Sequence, residues 1–288
     1  MNRRYACRIL AVGMPAAVAV SALFPVTAGW FFADDFYWLQ FAGSAGSSPV
    51  DLLTHRFFNY YRPVINCLFR LEYTWAHLNA APRYVLNLVM YAASTGLLVA
   101  WLNRLTGRIP IAVATGVLFG LGARHVEAVT WISGRTDLTA VLFFLTAMLL
   151  IPPLEAFPSP QRASGRFRTC LSVAALICAG LSKETPVVTP LIIYLVDRRE
   201  SPVHPRLLHW FHSRMPWIAT GIALTVLHTV MQSIGNVAWT RLGPPITLMG
   251  AAKNLIGGTA LAALQNVPSW FRWDGNGWIA CSILALVA

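Results

Sequence analysis

Long apolar runs, interrupted by short polar stretches, dominate this sequence. The first run, residues 9–32, follows three arginines near the N-terminus and is long enough to cross a hydrocarbon core of about 30 Å. Only 11% of the 288 residues are charged and 56% are hydrophobic, which leaves too little polar surface to cover a soluble globule. A backbone in a bilayer must satisfy its own hydrogen bonds, and the runs lack the alternation of barrel strands, so the sequence predicts transmembrane helices.

Further membrane spans are predicted along the chain. They are expected at residues 84–102, 109–123, 138–152, 169–181, 186–196, 216–233 and 246–267, and a last apolar stretch begins at Gly277. We therefore expect an all-α, polytopic membrane helix bundle of about eight to nine spans, with residues 1–288 forming a single domain. Because the last stretch stops in mid-helix, we expect the chain to be C-terminally incomplete. Residues 26–28 resemble a signal-peptidase site, but the length of the first run favours an uncleaved anchor.

The positive charges favour one orientation of this bundle. The formal net charge is +11, and the arginines cluster at the ends of the predicted helices, which indicates membrane orientation rather than nucleic-acid binding. With the N-terminus in the cytoplasm, the cytoplasmic segments carry the larger excess of arginine, and most carboxylates lie outside. The Arg-rich composition favours a bacterial inner membrane with a periplasmic active site. The five cysteines lack ligand or disulfide spacing, so neither a disulfide framework nor a zinc site is expected. No cofactor is expected either, and the sequence requires no divalent metal.

The longest external segment, residues 33–83, is too polar to span a membrane and too apolar to be a free loop. Within it, residues 50–58 place apolar side chains at helical spacing, with charged ones on the opposite face. We expect this stretch to form an interfacial helix that lies flat on the membrane and helps to roof a cavity.

Three short polar segments, residues 33–36, 125–137 and 182–185, carry the candidate chemistry, and the predicted topology puts all three on the external side. In the first, Asp34 and Asp35 stand between aromatic residues, so burial and mutual repulsion would raise their pKa values. A carboxylate in such a place is a candidate general base. The alternative is a solvated pair that ends a helix.

The second polar segment crowds His125, Glu127, Arg135 and Asp137 between two predicted spans. Asp137 could instead complement a helix dipole, and Arg135 could extend to lipid headgroups. The spacing of His125 and Glu127 is not that of zinc ligands on a helix, so no metal site is expected here.

In the third segment, Lys183 and Glu184 precede a helix that Thr185 and Pro186 are expected to start. A lysine beside a helix N-terminus is a natural phosphate-binding feature; the alternative is pairing with Glu184 or with lipid headgroups. The sequence has no nucleotide-binding or serine-hydrolase motif. External carboxylates and cations fit a donor whose leaving group is a lipid phosphate, because that reaction needs a base for the acceptor and cations for the developing charge.

The polar segments belong to an ordered set of motifs. These are Asp34-Asp35, then Tyr61-Arg62-Pro63, Phe69-Arg70-Leu71 and Tyr84-Val85-Leu86-Asn87, then HVEAVTWISGRTD at residues 125–137, and finally Leu181-Ser182-Lys183-Glu184-Thr185. In this set the chain resembles the membrane O-mannosyltransferases with transmembrane and tetratricopeptide repeat regions, within the GT-C glycosyltransferase superfamily. The tetratricopeptide part is absent here, and Gly122-Ala123 replaces a His-Pro pair that is usual in that family.

The resemblance implies an enzyme that transfers a sugar with inversion, typically mannose or another hexose, from a polyprenyl-phosphate donor to a hydroxyl on the extracytoplasmic side. It assigns Asp34 or Asp35 as the base or the acceptor-binding group. The expected partners are the lipid-linked sugar, a protein or glycan hydroxyl and membrane lipids, without nucleic acid. Modification of lipid A or of an envelope polysaccharide by the same fold is one alternative, and a non-catalytic transporter or lipid-sugar binding protein is another.

The remaining polar residues are predicted to bind substrate. We expect Arg135 and Lys183 to bind the lipid phosphate, and Glu127 and Asp137 to orient the sugar or the cations. The other members of the predicted substrate-binding set are Arg62, His125 and Glu184.

Overall fold

The computed structural model describes residues 3–44, 49–56, 60–152, 163–184, 188–200 and 207–235. Apart from Gly235, these residues belong to the first of two units, residues 1–234, and the second unit is residues 235–288. Within the described ranges all the regular elements are helices, apart from an isolated bridge residue at Tyr60, which confirms the predicted all-α class. A single domain over residues 1–288 stays a prediction.

Eleven α-helices make up the described part of the chain. They are α1 (Arg3–Leu23), α2 (Asp35–Ser44), α3 (Pro49–Thr54), α4 (Pro63–Ala76), α5 (Ala81–Thr106), α6 (Ile109–Gly120), α7 (Ala123–Thr130), α8 (Arg135–Leu150), α9 (Ala163–Gly180), α10 (Thr189–Glu200) and α11 (Leu207–Gly235). Two short 3₁₀ helices, Phe24–Ala28 and Ile132–Gly134, follow α1 and precede α8.

Proline and glycine mark several helix boundaries. Pro63, Pro82 and Pro110 stand in the first turns of α4, α5 and α6, where a missing N–H group costs no hydrogen bond. Gly107 ends α5 in the left-handed conformation, with φ of 65°, and its N–H group donates to the carbonyl oxygen of Asn103 at 2.9 Å. The local sequence therefore sets where these helices begin and end.

Three helical stretches are long and apolar enough to cross a membrane: Leu10–Ala28, Ala81–Thr106 and Ile132–Leu150. Helix α6 is also apolar but shorter. These stretches confirm the prediction of an integral membrane protein. The count of eight to nine spans stays a prediction, and the spans expected at residues 246–267 and after Gly277 lie outside the described residues.

The membrane helices pack through small residues. Helix α1 contacts α5 and α6, and α8 contacts α5 and α9. A methyl group added at Gly120 of α6 would lie 2.9 Å from the Cβ atom of Ala19 on α1, and one added at Gly96 of α5 would lie 3.1 Å from Val12. Such close approach of backbones stabilises helix pairs in lipid, where apolar burial adds little.

Residues 33–83, which the sequence predicts to be external, are more helical than the sequence indicated. They form α2, α3 and α4, and the interfacial helix expected at residues 50–58 is the shorter α3; residues 57–59 lie outside the described ranges. The amide of Asn66 on α4 donates to the carbonyl oxygens of Leu52, at 3.0 Å, and His55, at 2.9 Å. These two carbonyls at the end of α3 are thus satisfied by a side chain instead of by another helical turn.

A buried ionic cluster joins α4, α5 and α8. Glu72 of α4 accepts a hydrogen bond from Arg83 of α5 at 3.0 Å and contacts the guanidinium of Arg135 on α8. Arg135 also donates to the side chain of Asn87 at 2.9 Å, and Arg83 donates to the backbone carbonyl of His77 at 2.8 Å. The side chains of Glu72, Arg83 and Arg135 are at most 1% exposed, so each charge depends on the others for solvation.

Asp35 completes the charge balance of this cluster. It lies at the start of α2, is fully buried and is within electrostatic range of both Arg83 and Arg135. Two buried carboxylates therefore balance the charge of two buried guanidiniums. We call Asp35, Glu72, Arg83 and Arg135 the buried charge cluster.

We predict that Glu72→Gln destabilises the fold by about 3–5 kcal/mol, because it leaves two buried guanidiniums with one remaining acid. The free energy of unfolding in detergent micelles measures this. Glu127→Gln is the matched control, since Glu127 is exposed on α7 and its neutralisation should change stability by less than about 0.5 kcal/mol. Equal stability of the two variants would contradict a supporting role for the cluster.

Candidate functional site

One cavity of about 720 Å³ collects most of the predicted site residues. Seven of the nine line it: Asp34, Arg62, His125, Glu127, Asp137, Lys183 and Glu184. They come from four places along the chain: the start of α2, the start of α4, the α7–α8 region and the segment after α9. The two predicted residues that do not line the cavity are Asp35 and Arg135, both of which belong to the buried charge cluster.

The neighbouring acids Asp34 and Asp35 have different surroundings. Asp34 is partly exposed and lines the cavity, and its backbone carbonyl accepts the first hydrogen bond of α2, from Trp38 at 3.2 Å. Ala33, just before it, adopts a left-handed conformation with φ of 47°, which a residue with a Cβ atom rarely adopts. Consecutive residues at the start of a helix do not share a face, and here Asp34 lines the cavity while Asp35 is buried.

Asp35 binds backbone and side-chain donors from two segments. Its carboxylate accepts hydrogen bonds from the N–H group of Ser133 at 2.7 Å, from the hydroxyl of Ser133 at 2.5 Å, and from the N–H group of Phe32 at 3.0 Å. Burial raises the pKa of Asp35 above its ordinary value, while the hydrogen bonds from Ser133 and Phe32 and the charge of Arg135 oppose that shift. The side chain thus fastens the first polar segment to the second.

The second polar segment is tightly folded around a glycine. The sequence suggested a short turn between two spans, but the structure forms α7 and then the 3₁₀ helix before α8. A Cβ atom at Gly134 would lie 2.7 Å from the carbonyl oxygen and 2.8 Å from the Cα atom of Ala128, which is backbone that cannot rotate away. The side-chain amide of Asn87 also donates hydrogen bonds to the carbonyl oxygens of Val129, at 3.2 Å, and Trp131, at 3.1 Å. These contacts hold the residues that flank the cavity.

Two ion pairs lie on the cavity wall. The ammonium group of Lys183 donates to Asp137 at 2.5 Å, and the guanidinium of Arg62 donates to Glu184 at 3.1 Å. The face of Arg62 also lies over the ring of Tyr60, 4.4 Å from its centroid. Two cation–carboxylate pairs therefore line the cavity.

Aromatic and hydroxyl side chains that the sequence did not single out as site residues complete the lining. They include Trp38, Tyr60, Tyr91, Ser94, Phe119 and Trp131. The ring of His125 packs on Phe119 with centroids 4.2 Å apart, and the hydroxyl of Tyr91 donates to the carbonyl of Phe119 at 2.7 Å. The sequence could have indicated two of these residues, because Tyr91 and Ser94 carry polar groups within an otherwise apolar membrane helix.

In the ranges that the structure describes, no three His, Cys, Asp or Glu side chains come together as metal ligands.

We predict that Asp35→Asn lowers the free energy of unfolding by about 2 kcal/mol, because the amide group leaves at least one buried donor without an acceptor. Asp34→Asn removes the same charge one residue away on the partly exposed side and should change stability by less than about 0.5 kcal/mol. Thermal or chemical unfolding of both variants in the same detergent makes the comparison. Similar losses in both would contradict the separation of the two carboxylates.

The chain is similar over part of its length to protein O-mannosyl-transferases. It is 36% identical over 89 residues to protein O-mannosyl-transferase TMTC2 of Homo sapiens, covering 31% of this chain and 11% of that protein. It is 29% identical over 181 residues to TMTC1 of Mus musculus, covering 60% and 18%. It is 28% identical over 140 residues to F38B6.6 of Caenorhabditis elegans, covering 48% and 19%. No protein-family model and no solved structure matches the chain significantly.

The resemblance that the ordered motifs predicted is confirmed as a distant and partial homology. The matched part of the chain spans less than a fifth of the length of these relatives. Together with the apolar helices, the homology supports a glycosyltransferase-like membrane protein.

Proposed function

We propose that this protein is an inverting membrane glycosyltransferase that moves a hexose, such as mannose, from a polyprenyl-phosphate donor to a hydroxyl acceptor on the extracytoplasmic side. The observation that carries the proposal is the meeting of acids and cations from distant segments in one cavity of about 720 Å³. This volume falls within the roughly 300–1,000 Å³ of ligand pockets. The similarity to protein O-mannosyl-transferases points to the same reaction class.

Asp34 is the proposed base. It lines the cavity, whereas Asp35 is fully buried and holds Ser133 and Phe32. The Asp34 carboxylate takes the proton of the acceptor hydroxyl as that oxygen bonds to the anomeric carbon of the sugar. The bond from that carbon to the phosphate oxygen breaks on the opposite face, and the phosphate leaves with the bonding electrons, so the configuration inverts.

Lys183 and Arg62 are the proposed phosphate ligands. The sequence suggested Arg135 for this role together with Lys183, but Arg135 is fully buried and engaged by Glu72, Asn87 and the backbone of Arg83. We therefore assign Arg135 to support of the site. Cations at the cavity wall stabilise the charge that develops on the leaving phosphate, which itself needs no strong acid.

The sugar is proposed to bind between the ion pairs and the aromatic lining. Glu127 and His125 both line the cavity, and their oxygen and nitrogen atoms suit hydrogen bonds to sugar hydroxyls. The rings of Phe119 and Tyr91 next to His125 offer apolar faces to the C–H groups of the sugar. Glu184 and Asp137 also line the cavity, where each is paired with a cation.

The orientation that we propose follows the charge pattern of the sequence. We place the N-terminus in the cytoplasm and the cavity in the periplasm of a bacterial inner membrane. From the apolar runs we propose about eight to nine spans in a single domain over residues 1–288. The acceptor is a protein or glycan hydroxyl, and no metal is required by the residues that we assign.

We predict that Asp34→Asn lowers kcat for sugar transfer by roughly 10²–10⁴-fold, because the acceptor hydroxyl loses its base. Transfer of a radiolabelled hexose from its polyprenyl phosphate in proteoliposomes measures this. Asp51→Asn is the matched control, since Asp51 is an exposed acid on α3 outside the cavity lining and should leave kcat unchanged.

Full activity of Asp34→Asn would remove the base assignment. If the wild-type protein formed no new glycosidic bond but carried the labelled donor across the bilayer, the glycosyltransferase proposal would give way to a transporter. Mass analysis of the labelled product distinguishes a protein acceptor from lipid A or a polysaccharide.

A further inference from the structure

The two cationic side chains that line the cavity are both engaged by carboxylates that line it too. Lys183 is held by Asp137 at 2.5 Å, and Arg62 is held by Glu184 at 3.1 Å. A phosphate that binds these cations must therefore compete with a protein carboxylate at each of them. The competition makes the acids part of the binding equilibrium.

Two consecutive residues take part in different ion pairs. Lys183 and Glu184 are consecutive residues after α9, but their partners stand on different elements, Asp137 in the first turn of α8 and Arg62 just before α4. One short segment thus contributes one cation and one acid. The segment is thus tied to both elements through opposite charges, and both pairs line the same cavity.

Both ion pairs are weak enough for a ligand to displace them. The side chains of Lys183 and Asp137 are 27% and 44% exposed, and ion pairs that water still reaches are worth about 1 kcal/mol or less. The contact between Arg62 and Glu184 uses one nitrogen and one oxygen, and the two side chains are 12% and 28% exposed. The Nε atom of Arg62 and the Oε1 atom of Glu184 are buried and have no hydrogen-bond partner among the described residues. A guanidinium held at one nitrogen keeps donors available for a second anion.

We infer that Asp137 and Glu184 act as internal counter-ions of Lys183 and Arg62, which a phosphate-bearing ligand displaces on binding and which displace it on release. This inference rests on the proposed function in that the ligand there is the donor or product lipid phosphate. The acids lower the affinity of the cavity for phosphate, both by occupying its cations and by repelling its charge. They also return the cations to a paired state when the phosphate leaves.

Whether neutralising each acid raises or lowers the affinity for phosphate distinguishes this role from a direct contact with the substrate. Asp137→Asn and Glu184→Gln should each bind phosphate more tightly, by about fivefold or less, which corresponds to a pair of about 1 kcal/mol. A residue that instead held the sugar or the phosphate would bind ligand more weakly after the same change. Under turnover, tighter binding lowers KM without raising kcat.

The experiment measures the dissociation constants of a polyprenyl phosphate and of inorganic phosphate for the detergent-solubilised full chain, for both variants and for Asp51→Asn. Asp51→Asn removes one exposed negative charge outside the cavity lining and should leave both constants unchanged. The inorganic phosphate arm reports the anion site alone, and the lipid arm adds the contribution of the chain. Melting temperatures of all variants are recorded alongside, because a purely structural pair would lower stability without tightening phosphate binding.

Tighter binding in both cavity variants but not in the control supports the inference. Unchanged or weaker binding of a folded Asp137→Asn and a folded Glu184→Gln, with normal binding by the wild-type protein, overturns it and leaves the proposed function standing. Failure of the wild-type protein to bind either phosphate ligand would instead overturn the phosphate donor itself.

Discussion

The buried charge cluster is the constraint on which the rest of this structure depends. Glu72 lies between the guanidiniums of Arg83 and Arg135, and water reaches none of the three. Ionised groups in such surroundings are tolerated only when their partners stay in place, so α4, α5 and α8 cannot move apart without exposing an uncompensated charge. Asp35 brings α2 into the same arrangement through Ser133. Helices α2, α5 and α8, which contribute residues to the cavity lining, are thereby held with α4 in one relative position.

Supporting and cavity-facing residues are neighbours in the sequence. Asp35 is buried beside Asp34, which lines the cavity, and Arg135 is buried two positions before Asp137, which also lines it. A supporting contact made so close along the backbone leaves the cavity residue little freedom to shift. Catalysis by positioned acids and cations depends on such rigidity, because small displacements of the reacting groups are costly. The dense polar motifs therefore combine the support of the site with the site itself.

The ion pairs on the cavity wall contrast with the buried cluster. Lys183 and Asp137 remain partly accessible to water, whereas Glu72 and Arg135 do not. The same kinds of side chain thus support the fold where water is excluded and form weaker pairs where water enters. Burial, rather than residue type, sets the strength of each pair, and the weaker pairs are the ones that we propose an anionic ligand displaces.

The sequence by itself determined that this is an all-α membrane protein and placed its candidate site residues in three polar segments. Apolar runs at the required length and charges confined to short stretches express requirements of the bilayer that act locally along the chain. Tertiary structure alone decided the surroundings of each residue within those segments. Asp34 and Asp35 are the same residue type in adjacent positions, and only the folded chain shows that Ser133 binds Asp35 in the interior while Asp34 lines the cavity. Glu72 likewise carried no signal, because its partners Arg83 and Arg135 lie on other helices and approach it only after folding.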